Sequence, residues 1–329
     1  MRSLCILALA LAALPAPSSA QGQRPAVPTE TTATTVPGVV DAGTKIVVIK
    51  SGFTGTEGPI GLPDGSLIFT ETQASRITRI DKDTDATTTF LEDTNGSNGL
   101  AWDAKGRLIS VQTTPGATKI GVIYPKGSET TITDNYDGKP YGRPNDLVVS
   151  RNGGVYFTDP GPNATPGQPP STPPLPPAVY FVPPGGKATQ IDTGIERPNG
   201  ITLSPDEKTL YVNNTSGEHI VAFDVAPDGT VTNRRNFAKY ATLVKGPGGQ
   251  ISSGADGLAV DAEGRLYSAA IGGVQVFNPN GDHLGTIPVS LQPQNIAFAG
   301  SDKKTLYIVG RGSAFKVRVL TAGFAGRAK

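Results

Sequence analysis

The sequence predicts an all-β chain folded as a six-bladed β-propeller, with four-stranded antiparallel blades around a central channel. Three observations point there. A motif recurs six times, beginning at residues 57, 98, 145, 199, 256 and 295, which are 41, 47, 54, 57 and 39 residues apart. Self-similarity at this period marks a solenoid or a propeller. Between the motif starts lie short β-rich runs (LIFTE, LISVQ, VYFTD, LYVNN) with no long helical periodicity, which excludes a helical solenoid. The chain also carries 41 Gly and 29 Pro among its 329 residues, the turn content that many short strands require.

In chain order, the first element is MRSLCILALALAALPAPSSA, residues 1–20. Arg2 gives a basic start, an apolar run follows, and Ser18-Ser19-Ala20 forms a small-residue cleavage site. The run is too short to span a membrane. The expectation is a signal peptide and an exported protein, periplasmic or secreted. The single cysteine, Cys5, falls inside it, so the mature chain has no disulfide, thiol nucleophile or thiolate metal site. Residues 21–43 are rich in Pro, Thr and Ala and read as a flexible linker.

The propeller is expected over 44–322, about 46 residues per blade, close to the repeat length of a four-stranded blade. Its ring needs closing. TKIVVIK (44–50) is expected to complete the last blade beside FKVRVL (315–320), joining the two ends of the chain. The Pro-rich stretch 160–178 cannot be a ladder strand, because proline lacks an N–H. It is expected as a surface loop at one mouth of the channel, lining or gating the entrance. Residues 323–329 are read as a tail.

In such a ring, the residue preceding each inner strand approaches the common axis. Those residues are Glu57, Asn98, Asn145, Asn199, Asp256 and Asn295: two carboxylates, four amides and no basic side chain. Asx residues are common before strands for turn reasons alone. Six in register form a hard oxygen-donor set suited to calcium or a similar divalent ion. The two histidines, His219 and His283, sit in turn or outer-strand contexts, and no G-x-S-x-G, H-E-x-x-H or P-loop is present. A Ser-His-Asp mechanism is thereby disfavoured. The net charge of +1 gives no electrostatic reason for a nucleic-acid or membrane-surface partner. A small molecule is the expected partner; the oligomeric state is open.

The six motifs TEGPIGLPDGSLIFTE, SNGLAWDAKGRL, RPNDLVVSRNGGVYFTDP, RPNGITLSPDEKTLYV, GADGLAVDAEGRLY and QNIAFAGSDKKTLYIVG, in this order, resemble the gluconolactonase, senescence marker protein and luciferin-regenerating enzyme family over about residues 50–320. The resemblance implies one divalent cation, calcium foremost and zinc or magnesium as alternatives, near the channel centre. It implies Glu57, Asn199 and Asp256 as core metal ligands, with Asn145 as a ligand or substrate contact. It also implies Asp256 as the base that activates water, and Arg143 and Asn98 as substrate-facing. Asn295 completes the expected substrate set. The implied activity is hydrolysis of cyclic esters, a sugar lactone or a related lactone. The alternatives are an exported ligand- or protein-binding propeller with structural calcium and a phosphotriesterase-like hydrolase. This sequence departs from the sugar-lactonase pattern at Val111-Gln112-Thr113, where Glu-His is frequent, and after Asp159-Pro160, where DPPYG is frequent.

Overall fold

The structure, a computed structural model, describes residues 27–162, 175–246 and 248–326. Six four-stranded antiparallel sheets follow one another along the chain. Blade 1 consists of Thr56–Gly61, Leu67–Glu71, Arg76–Ile80 and Thr87–Leu91. Blade 2 consists of Ser97–Trp102, Leu108–Gln112, Lys119–Tyr124 and Thr130–Thr133. Blade 3 is built from Leu147–Val149, Val155–Asp159, Ala178–Val182 and Thr189–Asp192. Blade 4 uses Pro198–Leu203, Thr209–Asn214, His219–Val225 and Val231–Lys239, and blade 5 uses Leu258–Val260, Leu266–Ala270, Gly273–Phe277 and His283–Ile287. Each innermost strand contacts the innermost strand of the next blade, and that of blade 6 contacts blade 1, so the ring is closed. The predicted propeller is therefore present. Its only helical element among the described residues is a single 3-10 turn, Thr72–Ala74.

Burial explains the strand composition. The second and third strands of each blade are covered on both faces by the neighbouring blades. Runs such as LIFTE and AVYFV are buried at every position. A continuous apolar run such as AVYFV suits a strand buried on both sides, and the buried Glu71 that ends LIFTE is satisfied by Arg76 and Thr78. Outer strands face solvent and turn polar, as in TTTFL of blade 1. Between blades 3 and 4, Tyr156 stacks on Phe181 at 4.6 Å and donates its hydroxyl to the Gly229 carbonyl at 2.7 Å. A buried ring of this size contributes about 1.5–3 kcal/mol.

Blade 6 closes the ring as the sequence predicts. Asn295–Ala299, Thr305–Gly310 and Ser313–Arg318 from the C-terminal end are completed by Lys45–Ser51 from the N-terminal end. Val47 pairs with Lys316 and Val48 with Phe315.

The linker expected over 21–43 is corrected for its described part. Thr31–Thr32 adds a fifth strand to blade 6 against Lys45 and Ile46. Val36, Val39 and Val40 are fully covered, in one apolar cluster with Val276, Ile287 and Phe315. Pro and Thr dominate the composition of this segment and conceal its apolar VPGVV core. The segment packs across the outer ends of blades 5 and 6, and its Val39 carbonyl accepts the Leu320 N–H at 2.8 Å. The expected tail is docked in part as well: Gly323 bridges Asp261, and the Phe324 N–H bonds the Val260 carbonyl at 3.0 Å. Residues 1–20, expected as a signal peptide, lie outside the described residues. So do 163–174 of the Pro-rich stretch, whose described flanks Asp159 and Ala178 pair at one end of blade 3. No described helix is long and apolar enough to cross a membrane.

Candidate metal centre

All six ring positions lie at the same end of their inner strands, and the local backbone explains how they are held. The Asn145 N–H donates to the Thr158 carbonyl and the Asp256 N–H to the Ala269 carbonyl, both at 2.8 Å. Each motif is thus hydrogen-bonded to the second strand of its own blade. The preceding blade grips it from the other side. Thr70 of blade 1 donates to the Asn98 carbonyl at 3.1 Å, Thr158 of blade 3 to Asn199 at 2.7 Å, and the Asn213 amide of blade 4 to Asp256 at 2.6 Å.

This close fit accounts for the glycine that follows the polar residue in four of the six repeats. A Cβ at Gly58 would overlap the Asn98 carbonyl, at Gly200 the Asp256 carbonyl, and at Gly257 the Asn295 side chain. Asp256 is therefore bounded on both sides by glycines that let adjacent blades approach.

The side chains then converge. Glu57, Asn98, Asn145, Asn199 and Asn295 are each no more than 6 % exposed. Glu57 accepts from Asn295 Nδ2 at 3.3 Å and from Gln294 Nε2 at 3.2 Å. Asn199 Nδ2 donates to the Thr215 hydroxyl at 3.1 Å, and that hydroxyl donates to the Ala255 carbonyl at 2.7 Å. Because the Thr215 proton is already committed, the Asn199 atom facing it must be the NH2. Its Oδ1 is left without a hydrogen-bond partner.

That oxygen has company. Among the described residues, seven buried side-chain polar atoms lack a hydrogen-bond partner, and five belong to the ring: Asn98 Oδ1 and Nδ2, Asn145 Oδ1, Asn199 Oδ1 and Asp256 Oδ1. Buried polar atoms without partners are rare, and each one calls for an explanation. The orphaned oxygens of Asn145, Asn199 and Asp256, with the Glu57 carboxylate, fit a divalent cation of the hard, oxygen-preferring kind. The donors are mainly neutral amides, and no group of three or more His, Cys, Asp or Glu among the described residues is arranged to hold a metal. The fit rests on amide oxygens completing two carboxylates.

The electrostatics point the same way. Burial pushes the Glu57 carboxyl up to about 7, with repulsion from Asp146 adding to the rise and Asn295 and Arg143 opposing it. Asp256 is raised well above the usual carboxylate range, first by burial and then by Glu57 and Asp146, with Arg311 and Arg143 opposing. Carboxyls gathered in a dry ring without enough positive charge behave in this way. A divalent cation would supply the missing charge.

Of the expected substrate contacts, Asn98 presents both amide atoms unpartnered. Arg143 lies within electrostatic reach of Glu57 and Asp256. Its loop is held by Asp159, which accepts from the Gly142, Arg143 and Gly161 N–H groups at 2.7, 2.9 and 2.9 Å. Asn295 is engaged inside the protein. Both atoms of its amide are engaged, Nδ2 with Glu57 and Oδ1 with the Ile296 N–H at 2.9 Å. Its geometry orients Glu57. The two histidines stand away from the ring, His219 opening the third strand of blade 4 and His283 on the exposed outer strand of blade 5.

Sequence reasoning missed three participants. Asp146, fully buried, stands where four other repeats place glycine, and its carboxylate accepts the Leu147 N–H at 2.9 Å. Gln294 connects Glu57 to the Arg311 N–H, 2.7 Å from its Oε1. Arg197, the second R-P-N arginine, feels both Arg143 and Asp256, and burial lowers its pKa. The doubled R-P-N and the Asp at a glycine position were the available signals.

The family model described as "SMP-30/Gluconolactonase/LRE-like region" matches residues 55–311. The chain belongs to this family. It is 31% identical to a gluconolactonase of Zymomonas mobilis over 307 residues, covering 87% of this chain and 84% of that protein. It is 24% identical to a pentonolactonase of Haloferax volcanii, covering 78% and 81% of the two chains. Among solved structures, a gluconolactonase from Xanthomonas campestris superposes with a TM-score of 0.72 at 29% identity, covering 90% of this chain and 99% of that one. A calcium-binding regucalcin from Agrobacterium tumefaciens, at 21% identity and a TM-score of 0.66 over 83% and 93%, shares the fold. These solved structures share the propeller fold, and the matched region spans all six motifs.

Proposed function

We propose that the chain is a divalent-metal-dependent hydrolase of cyclic esters. The observation that carries the reading is the set of orphaned oxygens of Asn145, Asn199 and Asp256 beside Glu57, in a chain whose relatives include gluconolactonases. Held by those four residues, a divalent cation, calcium foremost, would polarise the lactone carbonyl and offset charge developing on its oxygen. Asp256 takes a proton from the attacking water. Burial and its acidic neighbours raise its pKa in the metal-free protein; a bound cation would offset that rise and keep the carboxylate ionised, the form a general base needs. Glu57 is fixed by Asn295 and Gln294, so its carboxylate keeps one orientation during turnover.

Asn98 offers a free amide donor and a free acceptor to the ring hydroxyls of a sugar lactone. Arg143, held on a loop braced by Asp159, orients the substrate and meets the carboxylate that ring opening produces. The described flanks of the Pro-rich stretch, Asp159 and Ala178, pair at the site-bearing end of blade 3. The N-terminal signal pattern supports an exported enzyme.

A panel of aldonolactones, aliphatic lactones, linear esters and phosphotriesters, each assayed with and without chelator, tests this reading. The expected result is chelator-sensitive turnover of lactones above the other classes. Turnover of phosphotriesters alone, or of nothing while calcium still raises the melting temperature, would replace it with one of the alternatives.

A further inference from the structure

The opposite end of the propeller holds a second feature that the ring chemistry does not use. Inner strands run from the polar ring towards this face and end at Gly61, Trp102 and Ala299 in blades 1, 2 and 6. A cavity of about 520 Å³ opens across these three blades. Its walls include Trp102, Phe90, Tyr124 and Phe298. The first three are half-buried rings packed on the blade 1 core, and they touch one another: Phe90 and Tyr124 lie 5.1 Å apart, and Trp102 meets Tyr124 edge-on at 6.2 Å. The indole N–H of Trp102 is spent on the Gly61 carbonyl at 3.2 Å, which fixes the ring and leaves its apolar surface towards the cavity.

The fold does not impose this lining. At the junction of blades 3 and 4, on the same face, the corresponding cavity of about 590 Å³ sets Asp206, Glu207, Lys208 and Asp224 beside Tyr156, Leu203 and Val225, with no aromatic cluster. A concave apolar pocket with few polar groups is the usual shape of a small-molecule site.

One cation completes the aromatic cavity. Lys303 lines it, and its ammonium makes a single long hydrogen bond, 3.5 Å to the Phe324 carbonyl. The neighbouring carboxylate, Asp302, is already paired with Arg318 at 2.7 Å. Desolvation holds the Lys303 pKa below the ordinary lysine value, the condition of an ammonium lacking a counter-charge.

We propose that this cavity is a second ligand site, separate from the metal centre, that takes a small aromatic carboxylate: the ring stacks among Trp102, Phe90 and Tyr124, and the carboxylate pairs with Lys303. The cavity volume lies in the range that accepts such a molecule. The apolar walls supply affinity, and the half-buried lysine supplies selection by charge, since an ion pair gains strength as water is removed.

Trp102 is the only tryptophan of the chain, so its fluorescence reports on this cavity alone. Phenylacetate, neutral phenylacetamide and cationic phenethylamine are titrated against the whole protein, with calorimetry as a second readout. Phenylacetate is expected to change the emission saturably and to bind at least tenfold more tightly than the other two. Lys303→Met is expected to weaken phenylacetate at least tenfold while leaving lactone turnover unchanged. Glu57→Gln, at the other face, is expected to leave the titration unchanged. No saturable binding by either readout, or equal affinity for all three probes on the unaltered protein, overturns the proposal, as does full phenylacetate affinity in a folded Lys303→Met. The probe comparison needs no variant, so a misfolded variant does not decide the outcome.

Discussion

The Asn295 amide donates to the Glu57 carboxylate at 3.3 Å, so the polar residue of the last repeat holds that of the first. The two lie 238 residues apart in sequence and meet only because the ring closes. Asn295 is thereby a positioning residue. Partners that orient a metal ligand typically matter by about 10–100-fold in affinity. Asn295→Ala is expected to lower calcium affinity by about that factor with the fold retained, read by calorimetric titration. Unchanged affinity would remove Asn295 from the account.

Glu57 predicts a pH signature. Its carboxyl rises from 4.5 to about 7 in the folded, metal-free protein. A raised folded-state pKa contributes stability that is fully present below the unfolded value and is lost as pH climbs through the folded value. The window therefore runs from about pH 4.5 to about pH 7, and the direction at Asp256 is the same. Ligand carboxylates must be deprotonated, so the cation's stabilising effect grows over this window. The melting-temperature rise produced by calcium is expected to be small at pH 5 and large at pH 8. An equal rise at both would contradict the assigned ligands.

The glycines beside Asp256 predict a packing effect. Gly257→Ala pushes a methyl group into the Asn295 side chain and so disturbs the Glu57 contact behind it. Overpacking of this kind costs about 1–3 kcal/mol. The expected result is a lower denaturant midpoint together with weaker calcium binding. An alanine variant that matched the parent in both would show that the blades have room to part.

The N-terminal segment predicts a stability effect that a free linker would not produce. Val36, Val39 and Val40 are buried, each contributing about 1.5–3 kcal/mol as an upper estimate. A chain beginning at residue 44 is expected to melt several degrees lower than one beginning at residue 21. Identical melting curves would return the segment to the role of a linker.

The contrast between that segment and the ring shows what the sequence could reveal. Repeats were legible because the propeller spaces equivalent residues regularly, so Glu57, Asn98, Asn145, Asn199, Asp256 and Asn295 aligned without any knowledge of contacts. The closing strand was legible because TKIVVIK is apolar and the ring needs an end. Docking of residues 31–40 was hidden by Pro and Thr, whose average polarity masked a short VPGVV core. The roles of Asp146 and Gln294 were hidden for another reason. Both act across blade seams, on partners 55 and 237 residues away. Likewise the engagement of Asn295 could not be separated from that of Asn98 by pattern, since both are buried amides at equivalent positions.

The central claim is that the converging oxygens hold a cation needed for lactone hydrolysis, with Asp256 activating water. The most direct test is lactone turnover by Asp256→Asn and Glu57→Gln, each first shown to be folded, in calcium and in chelator. The account predicts a loss of at least about 100-fold in each variant, no rescue by calcium, and a comparable loss when the parent is chelated. Full turnover by either folded variant, or by the chelated parent, would contradict it.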